Sequence, residues 1–307
     1  MIQGVSHVGI GVLDMKKALQ FYKDVLNFKE VVFDYTGKIP SLDTSPEGQY
    51  VNARVVMLRN PNTTPIAQGM IELVQLLPPA VPKLHDVEYE WGNIGIAEVC
   101  QDVRNIEETS KIMIDKGFKI VMPILYAILS GEEVKYCYFR SPERVLLEMI
   151  EWHMYKEFGG APRFNAINHI AIGVSDMKKS LAFYRDILGF KEVIFDCADT
   201  TAPPLAQSPP PGIHEVLIAN SYRDAWIELY QHYPPYKPAK TSTKWGDIGL
   251  MEFAIHVSNL EKEYSRLGEK GVIFVSPPHT VDYSTSQEWK YVYVQEPDGI
   301  RVCLVEY

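Results

Sequence analysis

The chain has 307 residues, which at roughly 150 residues per domain predicts about two domains. With 46% hydrophobic and 22% charged residues, it has the composition of a globular protein and not that of a disordered one. Its 30 Lys and Arg residues against 39 Asp and Glu residues give a formal net charge of −9, and no basic cluster stands out. A nucleic-acid partner is therefore not expected.

The four cysteines predict a reducing, cytoplasmic location, because they show neither C-x-x-C spacing nor a disulfide-rich pattern. The first residues lack the charged and apolar regions of a signal peptide, and no apolar run approaches ~18 residues, so no membrane partner is expected. The expected partners are a small-molecule substrate and, as an open alternative, a second copy of the chain in a homodimer.

In chain order, the first half opens with an alternating strand. β-Branched residues at 8, 10 and 12 face one way, while His7 lies with two glycines on the other face. Asp14 then caps a helix whose apolar residues follow helical spacing. Three strand-like runs follow, near 29–35, 51–58 and 70–76.

A second unit begins at Ile94 and repeats this order. It has a helix from the cap Asn105 to Lys116 and strands near 118–122, 134–139 and 145–151. The plan of each unit is therefore βαβββ.

The second half of the chain then repeats the sequence pattern of the first. Residues 6–34 and 168–196 are identical at 19 of 29 positions, and the segments WGNIGIAE and KGFKIVMP recur later as WGDIGLME and KGVIFVSP. The chain is predicted to contain two homologous halves, about 1–152 and 166–307, with a linker over 153–165. Four βαβββ modules in tandem predict an α+β fold.

Two histidines at equivalent positions of the repeat could take part in chemistry. His7 shares its face with glycines, and His169 shares its face with Ala171 and Gly173, so both have open space above them. A single buried histidine is most often only structural, but the repetition of these surroundings favours a site.

Five glutamates lie within strand-like apolar segments. A carboxylate in such surroundings loses hydration at a cost of several kcal/mol unless it is paired or bound to a metal ion. An ion pair or an exposed edge strand would be the ordinary explanation for one such residue. Their repetition at equivalent positions favours a metal or catalytic cleft. The glutamates are Glu72, Glu98, Glu148, Glu228 and Glu252.

A known family shares these features. His7 is followed seven residues later by Asp14, and then by the run F-Y-x-D-x-L-x-F that begins at Phe21. This pattern resembles the vicinal oxygen chelate superfamily, which includes glyoxalase I, methylmalonyl-CoA epimerase, extradiol dioxygenases and antibiotic-resistance proteins. The resemblance implies two glyoxalase-like half-barrel domains from internal duplication, 1–152 and 166–307. Each would be built from paired modules around a divalent metal ion, with ligands on the first and last strands.

The resemblance implies one ligand set in each half. The first set is His7, Glu72, Glu98 and Glu148; the second is His169, Glu228 and Glu252, with Cys303 at the position of Glu148. Because only the first set is complete, the first half is expected to be the competent one. The cofactor would be a divalent ion: Mn, Fe(II), Co, Ni, Mg or Zn. An imidazole with two or three carboxylates is an oxygen-rich set, which suits Mn, Fe(II), Co, Ni or Mg better than it suits zinc of the thiolate-bound type.

The expected function is that of a metal-dependent lyase or isomerase of glyoxalase or epimerase type, acting on a small carbonyl or hydroxy-acid compound. Glu148, or failing that Glu98, would act as the general base. Two alternatives remain open. One is a non-haem, extradiol-type dioxygenase using His169, Glu228 and Glu252, although extradiol enzymes use two histidines and one glutamate. The other is a binding or resistance protein with a vestigial metal site.

Overall fold

The computed structural model describes most of the chain. The described ranges are 1–40, 50–84, 93–129, 131–152, 161–200, 212–220, 224–233 and 244–307. Most of the linker predicted at 153–165 lies outside them, as does Trp91, which opens the first of the two WG-x-IG blocks.

The described residues form four modules of one helix and four strands. In chain order the strands are β1 (Ile2–Gly11), β2 (Glu30–Pro40), β3 (Tyr50–Arg59), β4 (Met70–Leu76), β5 (Gly95–Arg104), β6 (Ile120–Leu129), β7 (Glu132–Arg140), β8 (Leu146–Trp152), β9 (Arg163–Gly173), β10 (Glu192–Thr200), β11 (Gly212–Ala219), β12 (Trp226–Tyr233), β13 (Gly249–Val257), β14 (His279–Val281), β15 (Trp289–Gln295) and β16 (Arg301–Glu306). The helices are α1 (Met15–Asp24), α2 (Ile106–Asp115), α3 (Met177–Leu181), which continues as a π-helix over Ala182–Ile187, and α4 (Leu260–Glu269). The predicted βαβββ plan and the α+β class are confirmed.

The helix starts are fixed by the predicted caps. The Asp14 carboxylate accepts the backbone N–H of Lys17 at 3.1 Å, and the Asn105 side chain accepts that of Glu108 at 3.3 Å. Each cap satisfies a backbone donor that the first helical turn leaves without a partner. At the other end of α2, Gly117 takes a positive φ of 88°, which stops the helix at little steric cost.

The strands form two curled eight-stranded sheets. One has the order β14-β15-β16-β13-β1-β4-β3-β2, and the other has the order β10-β11-β12-β9-β5-β8-β7-β6. In each sheet the first strands of two modules pair antiparallel at the centre, β1 with β13 and β5 with β9. The sheet of modules one and four is called the outer half-barrel below, and that of modules two and three the inner half-barrel.

The structure corrects the expected pairing of modules. Each half-barrel takes one module from each homologous half, so neither 1–152 nor 166–307 builds a half-barrel by itself. The two modules of the first half meet at α1 instead: the ring of Phe21 lies 4.7 Å from that of Phe118, just after α2, and the Tyr22 hydroxyl donates to Glu143, between β7 and β8, at 3.2 Å. Because all four first strands carry the same pattern, the repeat does not specify which pair joins.

The main core lies between the helices and the convex faces of the two sheets. The β-branched residues predicted to face α1, Val8, Ile10 and Val12, are fully buried in it together with Tyr22. The alternation therefore leaves His7 on the concave face, inside the half-barrel. None of the helices in the described ranges has the length and apolar character needed to cross a membrane.

Candidate metal centre

Two glutamates of the inner half-barrel flank a small residue at its central seam. Ala171 on β9 pairs with Glu98 on β5 on one side and with Glu228 on β12 on the other. Side chains paired across neighbouring strands lie on the same face, so both carboxylates stand over an alanine methyl group. The space above this small residue is what the sequence pattern predicted beside His169.

The next row of residues paired across neighbouring strands, two positions along each strand on the same face, carries three more side chains of the kind that bind metal ions. Cys100 on β5 pairs with Glu148 on β8 and with His169 on β9. All three are buried, with exposures of 0%, 5% and 3%. The two rows therefore bring five possible metal donors to one place on the concave face.

The donor atoms converge on a common space. Nε2 of His169 lies 3.3 Å from Oε2 of Glu148 and 3.2 Å from Oε2 of Glu228. Neither contact has hydrogen-bond geometry, and among the described residues Nε2 of His169 and Oε2 of Glu98 have no hydrogen-bond partner. Buried polar atoms without partners are costly, and a cation held between them would satisfy both.

Two groups of donors have the spacing that a metal ion requires. Single donor atoms of Glu98, His169 and Glu228 lie within 4.8 Å of one another, and so do those of Cys100, Glu148 and His169. Ligands at about 2.0 to 2.3 Å from one ion lie within about 4.6 Å of each other, so small side-chain adjustments would close either group around an ion.

Asn168 sets the protonation of the His169 ring. The Asn168 amide donates to the carbonyl oxygen of Ile66 at 3.0 Å, which turns its own carbonyl oxygen towards Nδ1 of His169 at 2.6 Å. Nδ1 then keeps its proton and donates it to that oxygen, so the proton that a metal ion would displace is the one on Nε2, which faces the carboxylates. This is the arrangement that a metal-binding histidine needs.

Tyr138 links two of the carboxylates. Its hydroxyl lies 3.3 Å from Oε1 of Glu98 and 3.4 Å from Oε1 of Glu148, and it is buried. One hydroxyl proton can be donated to only one carboxylate at a time. Tyr138 therefore positions the two side chains, and its hydrogen bond lowers the pKa of Glu98 against the larger effect of burial.

The charge balance of the cluster favours a cation. Burial raises the pKa of Glu98 well above its usual value, and repulsion from Glu148 and Glu228 adds to this. Burial lowers the pKa of His169, but its contacts with Glu148 and Glu228 outweigh burial and raise that pKa to about 10. Without another cation, the cluster thus keeps protons on Glu98 and on the imidazole. A divalent ion would replace them.

A cavity of about 230 Å³ opens onto this cluster. Its floor carries Glu148, His169 and Glu228, and much of its wall is apolar or aromatic, including Ile150, Trp152, Phe195, Leu129, Ala127 and Tyr136. The volume is below the ~300 to 1,000 Å³ typical of drug-sized ligand sites, so a small molecule would fit. Cys197 and Glu215 also line it.

The outer half-barrel places the remaining predicted ligands in equivalent rows. Gly9 lies between Glu72 and Glu252. In the adjacent row, Ala254 lies between His7 and Cys303. No group of donors with metal-ligand spacing forms there among the described residues.

Its two carboxylates, Glu72 and Glu252, are buried and repel each other. Burial raises the pKa of Glu72 to about 7, and burial and repulsion by Glu72 raise that of Glu252 to about 8. Burial, with a smaller effect of His256, lowers the pKa of His7 to about 3, so its ring is neutral. His7 Nδ1 lies 3.1 Å from the Ser6 hydroxyl.

Aromatic side chains pack together on the concave side of the outer half-barrel. The rings of Phe33 and Tyr283 stack 4.2 Å apart, and Trp289 packs edge-on against Phe33 at 5.1 Å. Phe195, the counterpart of Phe33 in the repeat, instead lines the open cavity of the inner half-barrel. The equivalent phenylalanines therefore differ in their surroundings: Phe33 packs against Tyr283 and Trp289, and Phe195 borders a cavity.

The structure corrects the expected grouping of ligands. The first-half set is divided: Glu98 and Glu148 lie in the inner half-barrel, while His7 and Glu72 lie in the outer one. The second-half set is divided in the same way: His169 and Glu228 lie in the inner half-barrel, and Glu252 lies in the outer one. The dioxygenase set of His169, Glu228 and Glu252 is therefore not assembled, and the competent-half expectation no longer applies.

Three residues of the inner cluster are not predicted from the sequence. Cys100 lies two positions after Glu98 on one strand, and the alternation of that strand could have placed both on one face. Asn168 directly precedes His169 where Ser6 precedes His7. Tyr138 is on β7, and only the sheet register relates it to the two carboxylates.

Comparisons with known proteins agree with this architecture. Residues 6–138 and 166–304 each match a family model described as the glyoxalase/bleomycin resistance protein/dioxygenase superfamily. No curated protein matches the chain. Glyoxalase I from Zea mays is similar with a TM-score of 0.59 and 14% identity, over 98% of this chain and 92% of that one. A protein from Bacillus subtilis subsp. subtilis str. 168 that is provisionally named a dioxygenase is similar with a TM-score of 0.61 and 13% identity. The match covers 99% of this chain and 85% of that one. At these identities the likeness shows the fold alone.

Proposed function

Because the chain belongs to the glyoxalase/bleomycin resistance protein/dioxygenase superfamily, we propose that its inner half-barrel is a divalent-metal-dependent lyase or isomerase site for a small carbonyl or hydroxy-acid compound. One observation carries the proposal. Glu98, Glu148, His169 and Glu228 converge beneath an open cavity, and two of their buried donor atoms lack hydrogen-bond partners among the described residues.

The proposed ligands are Glu98, His169 and Glu228. One imidazole and two carboxylates make an oxygen-rich set that suits Mn, Fe(II), Co, Ni or Mg. A divalent ion bound there would polarise two vicinal oxygens of the substrate and stabilise the negative charge that develops on them. Because Asn168 accepts the proton on Nδ1 of His169, the Nε2 lone pair is available to the ion.

Glu148 is the proposed general base. Its Oε2 faces Nε2 of His169 at 3.3 Å, so it borders the space assigned to the ion, and it also lines the cavity. A carboxylate in this position can take a proton from the carbon next to a substrate carbonyl and return it to the same or the neighbouring carbon. Tyr138 would hold Oε1 of Glu148 and help to orient the carboxylate.

The apolar wall supports a small substrate that is held by shape on one side and by its oxygens on the other. Trp152 and Phe195 line this wall, and Trp152 is braced by an edge-on contact with Trp226 at 6.0 Å. With a substrate filling the cavity, such a wall would keep water away from the proton-transfer step and so strengthen the electrostatic interactions there.

The first experiment measures metal. Protein purified without chelators is expected to bind one divalent ion per chain in the inner half-barrel, by elemental analysis or calorimetric titration. His169→Ala should remove this binding, while His7→Ala, the equivalent change in the outer half-barrel, should preserve it. Equal metal contents in both variants would contradict the ligand assignment.

The second experiment measures proton transfer. Small hydroxy ketones and hydroxy acids are incubated in D₂O with metal-loaded protein, and deuterium incorporation is followed by NMR. Glu148→Gln should keep the metal and lower the exchange rate by about 10²-fold to 10⁴-fold, the usual contribution of a general base. Undiminished exchange in this variant would refute the role of Glu148.

Two other functions predict different results. A non-haem dioxygenase commonly uses two histidines and one carboxylate, whereas the assembled group has one histidine and two carboxylates. Fe(II)-dependent oxygen uptake with catechols would support it over the isomerase. A binding or resistance protein would show ligand-dependent thermal shifts with no exchange or turnover.

A further inference from the structure

Cys100 occupies the central position of the inner metal cluster. It lies on β5 directly between Glu148 on β8 and His169 on β9, and its side chain is fully buried. Its sulfur is within 4.8 Å of a donor atom on each of these neighbours. At the equivalent place in the outer half-barrel stands Ala254, between His7 and Cys303.

Two overlapping donor groups share one imidazole. Cys100 and Glu148 form one group with His169, and Glu98 and Glu228 form the other. His169 is only 3% exposed, and its Nε2 faces one carboxylate of each group, Glu148 at 3.3 Å and Glu228 at 3.2 Å. The first group contains sulfur and the second contains only nitrogen and oxygen.

We propose that Cys100 is a metal ligand, and that thiophilic ions such as Zn²⁺ and Cd²⁺ are held by Cys100, Glu148 and His169, whereas harder ions such as Mg²⁺ and Mn²⁺ are held by Glu98, His169 and Glu228. The inference rests on the metal site of the proposed function, but not on the reaction assigned to it. Soft thiolate ligands select Zn²⁺ and Cu(I), and carboxylates suit Mg²⁺ and Mn²⁺.

The sulfur-containing group and the oxygen group differ in whether the bound ion engages Glu148. An ion held by the sulfur group engages Glu148, the proposed base, and the thiol proton passes to solvent when the sulfur coordinates. An ion held by the oxygen group leaves Glu148 beside the cavity. The identity of the bound ion would then decide whether the base is available to a substrate.

Cadmium gives a direct test of sulfur coordination. Titration of the metal-free protein with Cd²⁺ should produce a thiolate-to-cadmium charge-transfer band in the ultraviolet, and ¹¹³Cd NMR of the unmutated protein should show a shift typical of sulfur ligation. Cys100→Ser should abolish the band and weaken Cd²⁺ binding by more than the roughly 10-fold to 100-fold typical of lost outer-shell partners. Its affinity for Mn²⁺ should change by less than about threefold, because the oxygen group remains.

Two matched variants serve as controls. Cys197→Ser changes a cysteine that lines the same cavity, and Cys303→Ser changes the one in the outer half-barrel. Both should keep the band. If Cd²⁺ binds without a band, or if the band survives in Cys100→Ser, the inference is wrong while the proposed metal site stands. If neither Cd²⁺ nor Mn²⁺ binds the unmutated protein, both proposals fail.

Discussion

Replacing Asn168 tests whether the protonation of His169 is set from outside the metal cluster. In the folded protein Asn168 accepts the Nδ1 proton at 2.6 Å and donates to the Ile66 carbonyl at 3.0 Å, and it is fully buried. Asn168→Ala removes both contacts. When a metal ion displaces one proton from the imidazolium, the remaining proton is then no longer held on Nδ1 and can occupy Nε2, where it blocks the ion, so metal affinity should fall.

The expected magnitudes follow from these two contacts. Loss of an outer-shell partner typically lowers metal affinity by about 10-fold to 100-fold, which corresponds to about 1.4 to 2.7 kcal/mol. Two buried hydrogen bonds at about 1 kcal/mol each, together with the partners left unsatisfied, should lower the free energy of unfolding by about 2 to 4 kcal/mol. Titration calorimetry measures the first quantity, and urea unfolding of the metal-free protein measures the second.

Asn168→Asp separates the two effects. Aspartate still accepts the Nδ1 proton but cannot donate to the Ile66 carbonyl, so metal affinity should be retained while the metal-free protein loses stability. Ser6→Ala, the equivalent change beside His7 in the outer half-barrel, should leave metal affinity unchanged. Wild-type affinity in Asn168→Ala, or an equal loss of affinity in the alanine and aspartate variants, would refute the argument.

Three further outcomes are expected. Since metal binding displaces protons from His169 and Glu98, the logarithm of the association constant should rise by about one to two for each pH unit between about pH 6 and 8, and a calorimetric series with no slope would contradict this. Burial and repulsion by a neighbouring carboxylate raise the pKa of Glu252 to about 8, so its ionisation should destabilise the fold as pH rises from about 4.5 towards 8. The test compares the unfolding free energy of Glu252→Gln with that of the unmutated protein at two pH values. This difference should favour the variant by on the order of 4 kcal/mol more at pH 9 than at pH 4, and equal differences at the two pH values would exclude the linkage. Tyr138→Phe should weaken metal binding by about 10-fold, whereas Tyr293→Phe, its counterpart in the outer half-barrel, should not.

The local features of the fold could be predicted from the sequence. Asp14 and Asn105 mark the helix starts because a cap acts on backbone donors only a few residues away. The alternation that buries Val8 and Ile10 also puts His7 on the concave face. These properties depend on near neighbours along the chain, and a repeat that preserves them reveals four modules.

The candidate site could be predicted in its parts but not in its grouping. Glu98, Glu148, His169 and Glu228 are all candidates on sequence grounds, yet they belong to different halves of the repeat. The register that places them together, with Ala171 between two of them, joins strands that are far apart in sequence. The first strands of all four modules have equivalent patterns, so local sequence does not specify which of them pair. The packing of the whole chain decides this.

The sequence by itself determined the modules, the faces of their strands and the kinds of side chain that face inward, because each depends on local spacing. Only the tertiary structure decided which modules pair, that Cys100 stands between Glu148 and His169, and that Tyr283 covers Phe33 while Phe195 borders an open cavity. The physical reason is that these are contacts between distant segments. Their energy comes from sheet register and side-chain packing, which neither half of the repeat specifies alone.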